Sequence, residues 1–91
     1  MAKPAPWLIV FAKRAQKDAS KLAAAGLEPK TKQLLAVLRT NPHQNPPPFE
    51  KLRGDLAGAC SRRINIQHRL VYQVPETDRI VKILSLWTHY E

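Results

Sequence analysis

The chain has 91 residues, with 15 Lys+Arg against 7 Asp+Glu, a net charge of +8 and a pI near 10.2. That length suits one modest hydrophobic core and leaves no room for a second domain of ordinary size, while the charge favours a polyanionic partner: nucleic acid, an acidic membrane or an acidic protein. A single cysteine, Cys60, excludes an intrachain disulfide and a multi-cysteine metal site and fits a reducing cytoplasm.

Residues 1–6, MAKPAP, hold two prolines and no periodicity, and read as a flexible leader to a single domain. Residues 7–11, WLIVF, form a short apolar run of aromatic and β-branched types, as expected for a strand covered on both faces. The run is too short to span a membrane, and nothing in the chain reads as a signal peptide. Residues 13–25 turn helical, with Ala15, Ala19, Leu22 and Ala23 on one stripe and Lys13, Lys17 and Lys21 on another. Gly26 supplies the stop. Pro29 suits the first position of a second helix, which carries Leu34, Leu35 and Leu38 and ends before Asn41-Pro42. Two such short helices are unstable alone and must lay their aliphatic stripes on a sheet.

Residues 41–49, NPHQNPPPF, carry four prolines in nine residues and read as a stiff connector. Strands are predicted at 60–67, 69–74 and 79–89, the last two joined by the turn-like PETD of residues 75–78. The expected fold is therefore α+β: an N-terminal strand, then a two-helix hairpin packed on one face of an antiparallel sheet. Strand alternation from residue 61 to 67 puts Arg63, Asn65 and Gln67 on one wholly polar side, opposite Arg62, Ile64 and Ile66. A free sheet face carrying Arg63, with Arg69 nearby, suits a phosphate. In the last strand the polar and apolar sides separate poorly.

The string FEKLRGDLAGACSRRINIQHRLVYQV, together with the terminal WTHYE, resembles the YoeB/Txe family of bacterial toxins, within the RelE-like superfamily of mRNA-cleaving enzymes. The resemblance runs from Trp7 to the C-terminus and rests on a glutamate, a basic residue, SRRI, HRLVY and a final HY in the family's order. It implies a microbial RNase (RelE-like) fold and a ribosome-dependent mRNA endoribonuclease that cuts translated mRNA in the ribosomal A site without a metal or other cofactor. The implied partners are a cognate antitoxin that is acidic and partly disordered, the ribosome through its rRNA and A-site mRNA, and operator DNA only through the antitoxin complex. A homodimer stays open, and no membrane partner is implied.

By the same resemblance Glu50 corresponds to the general base, Arg69 to the arginine that holds the scissile phosphate and His89 to the general acid. Arg63, and Arg53 where many relatives have lysine, would add positive charge beside the phosphate, and Tyr90 would help to place the RNA. The chain departs from the family in its leader and at Ala59-Cys60, where some relatives have aromatic residues. Metal-free cleavage uses the RNA's own 2′-hydroxyl as nucleophile, so a base must take its proton and an acid must protonate the departing 5′-oxygen. Fixed guanidinium groups stabilise the extra negative charge of the phosphorane-like transition state.

Taken one residue at a time, blander readings exist. Glu50 reads as solvated surface, His68 as a turn or packing residue, His89-Tyr90 as a frayed end, and the 62–63 arginine pair as a guard on an exposed sheet edge. The helix lysines read as a solvated face that could touch rRNA backbone, Trp7 and Trp87 as core, and Cys60 as a small half-buried side chain. Two rival functions share the charge pattern: a non-catalytic nucleic-acid-binding module, and an inactive toxin acting as corepressor with its antitoxin.

Overall fold

In a computed structural model of the chain the described residues are 6–54, 58–75 and 79–89, residues 88 and 89 by backbone alone. The apolar run near the start forms β1 (Leu8–Phe11), followed by α1 (Lys13–Ala24) and α2 (Glu28–Thr40). Four strands follow: β2 (Phe49–Lys51), β3 (Ala59–Arg63), β4 (His68–Gln73) and β5 (Ile80–His89). They make one five-stranded sheet in the order β1-β5-β4-β3-β2. The class is α+β, as expected, but the sheet is mixed, because β1 runs parallel to β5 while every other pair is antiparallel. Leu22, Leu34 and Leu38 of the helices meet Leu70, Tyr72, Val81, Ile83 and Leu86 of the sheet in the core. No helix among the described residues is long and apolar enough to cross a membrane. Apart from Pro6, the expected leader lies outside the described residues, and so do residues 76–78 of the PETD turn.

The helix boundaries follow from the chain's own punctuation. Gly26 takes a left-handed φ of 75° and donates to the Ala23 carbonyl at 3.2 Å, while Leu27 donates to the Leu22 carbonyl at 2.9 Å. This pair of bonds closes α1 with a Schellman motif, which favours a residue without Cβ at that point. The buried stripe of α1 differs from the predicted one: Ala15, Asp18 and Leu22 are buried, and Ala19 and Ala23 are exposed. Asp18 earns its burial as an acceptor, because its Oδ2 takes the backbone N–H of Leu86 at 3.0 Å and of Trp87 at 3.3 Å.

The sheet corrects the sequence reading in two places. The strand expected over 60–67 stops at Arg63, because the chain bends through residues 64–67. Asn65 holds that bend, its Oδ1 accepting the N–H of Gln67 at 2.9 Å and of His68 at 2.8 Å. Asn65 and Gln67 therefore do not continue the strand face of Arg63, and Ile66 is 85% exposed. The proline connector runs into a short strand, β2, for which the sequence carries no strand pattern. It pairs Glu50 with Ser61, so β3 is an internal strand and Arg62 guards no edge.

Arg62 is instead fully buried. Its Nη1 donates to the Pro47 carbonyl, its Nη2 to those of Pro42 at 3.1 Å and Gln44 at 2.8 Å, and its Nε to the Tyr72 hydroxyl at 3.1 Å. The guanidinium carbon lies 4.9 Å from the Phe49 ring centroid. A buried charge is tolerated only when its donors are satisfied, and here neutral oxygens satisfy them.

Replacing this side chain strands several buried carbonyls, so Arg62→Met is expected to cost about 3 to 5 kcal/mol. Thermal unfolding should show a melting temperature lower by about 12 °C or more. Burial pushes the Tyr72 phenol above its ordinary pKa of 10.0, against the opposing pull of Arg62. A pKa raised by folding means full stability below the unfolded value and a loss as pH climbs through the folded one. Urea titrations from pH 8 to 11 should show that alkaline loss in the native chain and a smaller one in Tyr72→Phe.

Candidate active site

Strand alternation sends consecutive residues to opposite faces, and residues registered across an antiparallel pair share a face. Arg62 points toward the connector, so Ser61 and Arg63 occupy the other side of β3. The register carries that side across three strands: Glu50 opposes Ser61, Ser61 opposes Val71 and Arg63 opposes Arg69. Phe49 and Glu50 divide in the same way, the ring toward Arg62 and the carboxylate toward Ser61. The middle of β2, the second half of β3 and the start of β4 thus place Glu50, Ser61, Arg63 and Arg69 on one patch.

These four residues, with Pro48 and Phe49, line a pocket of about 290 Å³. Glu50 Oε2 lies 3.3 Å from Arg69 Nη1, and the same Nη1 donates to Ser61 Oγ at 3.3 Å. The arginine side chain is 14% exposed and the carboxylate 67%. A guanidinium fixed by a buried serine and an acidic neighbour keeps its position without closing off the pocket. An anion entering it would meet two guanidinium groups, and the exposed carboxylate stands within reach of a proton on that ligand.

Of the predicted site residues, the structure brings together Glu50, Arg69 and Arg63. Arg53 is exposed in the loop after β2 and is not among the described residues lining the pocket. The backbone of His89 ends β5 opposite His68, next to the pair Arg69 and Thr88. The His89 side chain and all of Tyr90 lie outside the described residues. His68 is buried and stacks on Trp87 with ring centroids 3.8 Å apart and planes 22° from parallel, which is a packing role. Burial raises the pKa of the half-buried Cys60 thiol against the pull of Lys51 and Arg62, which keeps it poorly nucleophilic. Ser61 was missed as a site residue. It stands two places before Arg63, and strand alternation alone would have put it on the same face.

The chain matches, over residues 15–90, the family described as YoeB-like toxin of bacterial type II toxin-antitoxin system. It is 40% identical over 57 residues to Toxin YoeB of Streptomyces coelicolor and 48% identical over 42 residues to Toxin YoeB of Synechocystis. These alignments take in 63% and 46% of the chain, and the chain spans 66% and 46% of the two relatives' lengths. Among solved structures, the YoeB/ParE toxin from Agrobacterium tumefaciens is similar with a TM-score of 0.81 and 27% identity, covering 91% of this chain and 99% of that one. The toxin of the YoeB-YefM complex from Staphylococcus aureus is similar with a TM-score of 0.74 and 34% identity, covering 92% and 98%. The structure of the YoeB dimer from Staphylococcus aureus gives 0.76 and 33%, covering 98% and 100%. A mixed five-stranded sheet under two helices, the SRRI and HRLVY strands side by side and a family match through most of its length together show that the chain belongs to the YoeB-like toxins of bacterial type II toxin-antitoxin systems.

Proposed function

We propose that the chain is a ribosome-dependent mRNA endoribonuclease that cuts translated mRNA in the ribosomal A site and so inhibits translation. The observation that carries this reading is the contact between Glu50 and Arg69 at 3.3 Å, inside a pocket that also holds Arg63 and Ser61. Glu50 takes the proton of the 2′-hydroxyl, whose oxygen attacks the adjacent phosphorus. Arg69, with Arg63 beside it, holds the phosphate and stabilises the charge of the phosphorane-like transition state. His89, from the end of β5, gives a proton to the 5′-oxygen as its bond to phosphorus breaks, leaving a 2′,3′-cyclic phosphate and a free 5′-hydroxyl. Proton removal and donation by side chains leave no step that calls for a metal. Arg53 and Tyr90 are assigned to holding the RNA on either side of the cut.

The partners follow from the same reading. A basic surface on a cytoplasmic toxin calls for an acidic, partly disordered antitoxin, and the relative from Staphylococcus aureus is found in a YoeB-YefM complex. A YoeB from the same organism is found as a dimer, so a homodimer is proposed for this chain. Ribosomal RNA would be met through the phosphate backbone, and operator DNA only through the antitoxin complex.

Cleavage of a programmed ribosome tests the residue roles. Glu50→Gln is expected to bind ribosomes as the native chain does and to lose growth inhibition and cleavage. Arg69→Ala should lower the single-turnover rate about 100- to 1000-fold. Arg69→Lys keeps the charge but not the planar fork, and should recover only part of that loss. Native rates in Glu50→Gln would remove Glu50 as the base, and a native chain that binds ribosomes without cutting would favour a binding module over an enzyme.

A further inference from the structure

β5 is longer than the β4 stretch it pairs with. The register joins Gln73 to Lys82 at one end and His68 to His89 at the other, so five steps along β4 are matched by seven along β5. One extra residue falls between the pair Tyr72 and Ile83 and the pair Val71 and Ser85. The other falls at Leu86-Trp87, between the pair Val71 and Ser85 and the pair Arg69 and Thr88. Each is a β-bulge, and each breaks the period-two alternation.

The second bulge is held from the helix layer. In a regular strand, successive N–H groups point to opposite edges. At this bulge two successive ones, from Leu86 and Trp87, converge on a single atom, Oδ2 of Asp18, at 3.0 and 3.3 Å. Asp18 is 4% exposed, far too buried for a helix carboxylate without a task. Arg14 Nε lies 3.9 Å from the same oxygen on a side chain that is 68% exposed, so most of the fixed polar contact to this oxygen comes from the strand. Trp87, just after the first of these donors, stacks on His68, which precedes Arg69.

We propose that Asp18 is a positioning residue: by holding the Leu86-Trp87 bulge it sets the register in which the end of β5 meets Arg69. This rests on the proposed function, in which Arg69 holds the phosphate. Without the bulge the strand end slips by one residue, placing Trp87 opposite Arg69 and Thr88 opposite His68. A one-residue slip turns every later residue to the other face of the sheet. Asp18 therefore acts from the covered side of the sheet on chemistry at its open side. It touches no substrate.

The test compares Asp18→Ala with Asp18→Asn in the full chain, reading cross-strand NMR contacts between residues 69 and 88 together with single-turnover cleavage and ribosome affinity. Asn keeps a carbonyl acceptor for both N–H groups, so its 69–88 contact and most of its rate are expected to survive. In Asp18→Ala the contact should disappear and the rate fall about 100-fold, the effect of a misplacement of roughly 1 Å, with ribosome affinity unchanged. If Asp18→Ala does not fold, the decision passes to Asp18→Asn, for which a native contact and rate support the inference. Survival of contact and rate in Asp18→Ala, or a folded Asp18→Asn with native contact but no cleavage, would overturn it. A native chain that does not cut mRNA would overturn the proposed function instead, while the 69–88 contact still reports on Asp18 by itself.

Discussion

The buried guanidinium of Arg62 is the constraint on which the site's placement depends. Proline has no N–H, so a connector with prolines at 42, 46, 47 and 48 carries more acceptors than donors and cannot satisfy itself. A guanidinium has five donors and no acceptor. The two deficits match: Pro42, Gln44 and Pro47 offer their carbonyl oxygens, and Arg62 with the Tyr72 hydroxyl beside it meets them. Fixing the connector fixes where it ends, and it ends at Phe49-Glu50, paired with Arg62-Ser61. The carboxylate thus reaches Arg69 because the ring before it is held on the opposite face.

The SRRI stretch therefore divides by strand alternation. Arg62 goes inward to hold the connector, and Ser61 and Arg63 go outward to the pocket that Arg69 enters from the next strand. An abundance of donors and charges in the middle of a sheet has two separate uses, one on each face. The last strand shows the complementary device, in which two extra residues in β5 spoil its alternation and a buried aspartate on α1 holds one of them. Positions on both faces are set by polar groups buried out of reach of water, where an unmet donor or acceptor is costly.

Much of the fold was legible because it follows local rules. Gly26, Pro29 and Asn41-Pro42 marked the helix ends, and the apolar run at 7–11 marked the first strand. What stayed hidden was set by partners distant in sequence. β2 has too little apolar pattern to be read as a strand, and its pairing with β3 comes from the clamp on residues before it. Asp18 carried no signal within its own helix, because the N–H groups it accepts from lie in β5. The bend at residues 64–67 turned on one Asn side chain, so Asn65 and Gln67 were placed on a strand face they do not have. For the site, resemblance supplied Glu50, Arg69 and His89, and alternation alone would have added Ser61. The parallel pairing of β1 with β5 had no local signal, since it joins opposite ends of the chain.

Cleavage by the neighbouring hydroxyl is the claim that gives Glu50 and Arg69 their work. The most direct measurement programs a ribosome with mRNA whose A-site codon carries a single 2′-deoxynucleotide at the cut, and compares its products with those of the all-RNA message. The expected result is a 2′,3′-cyclic phosphate end from the all-RNA message and no cut at the deoxy position. Continued cutting at the deoxy position would contradict the proposed chemistry.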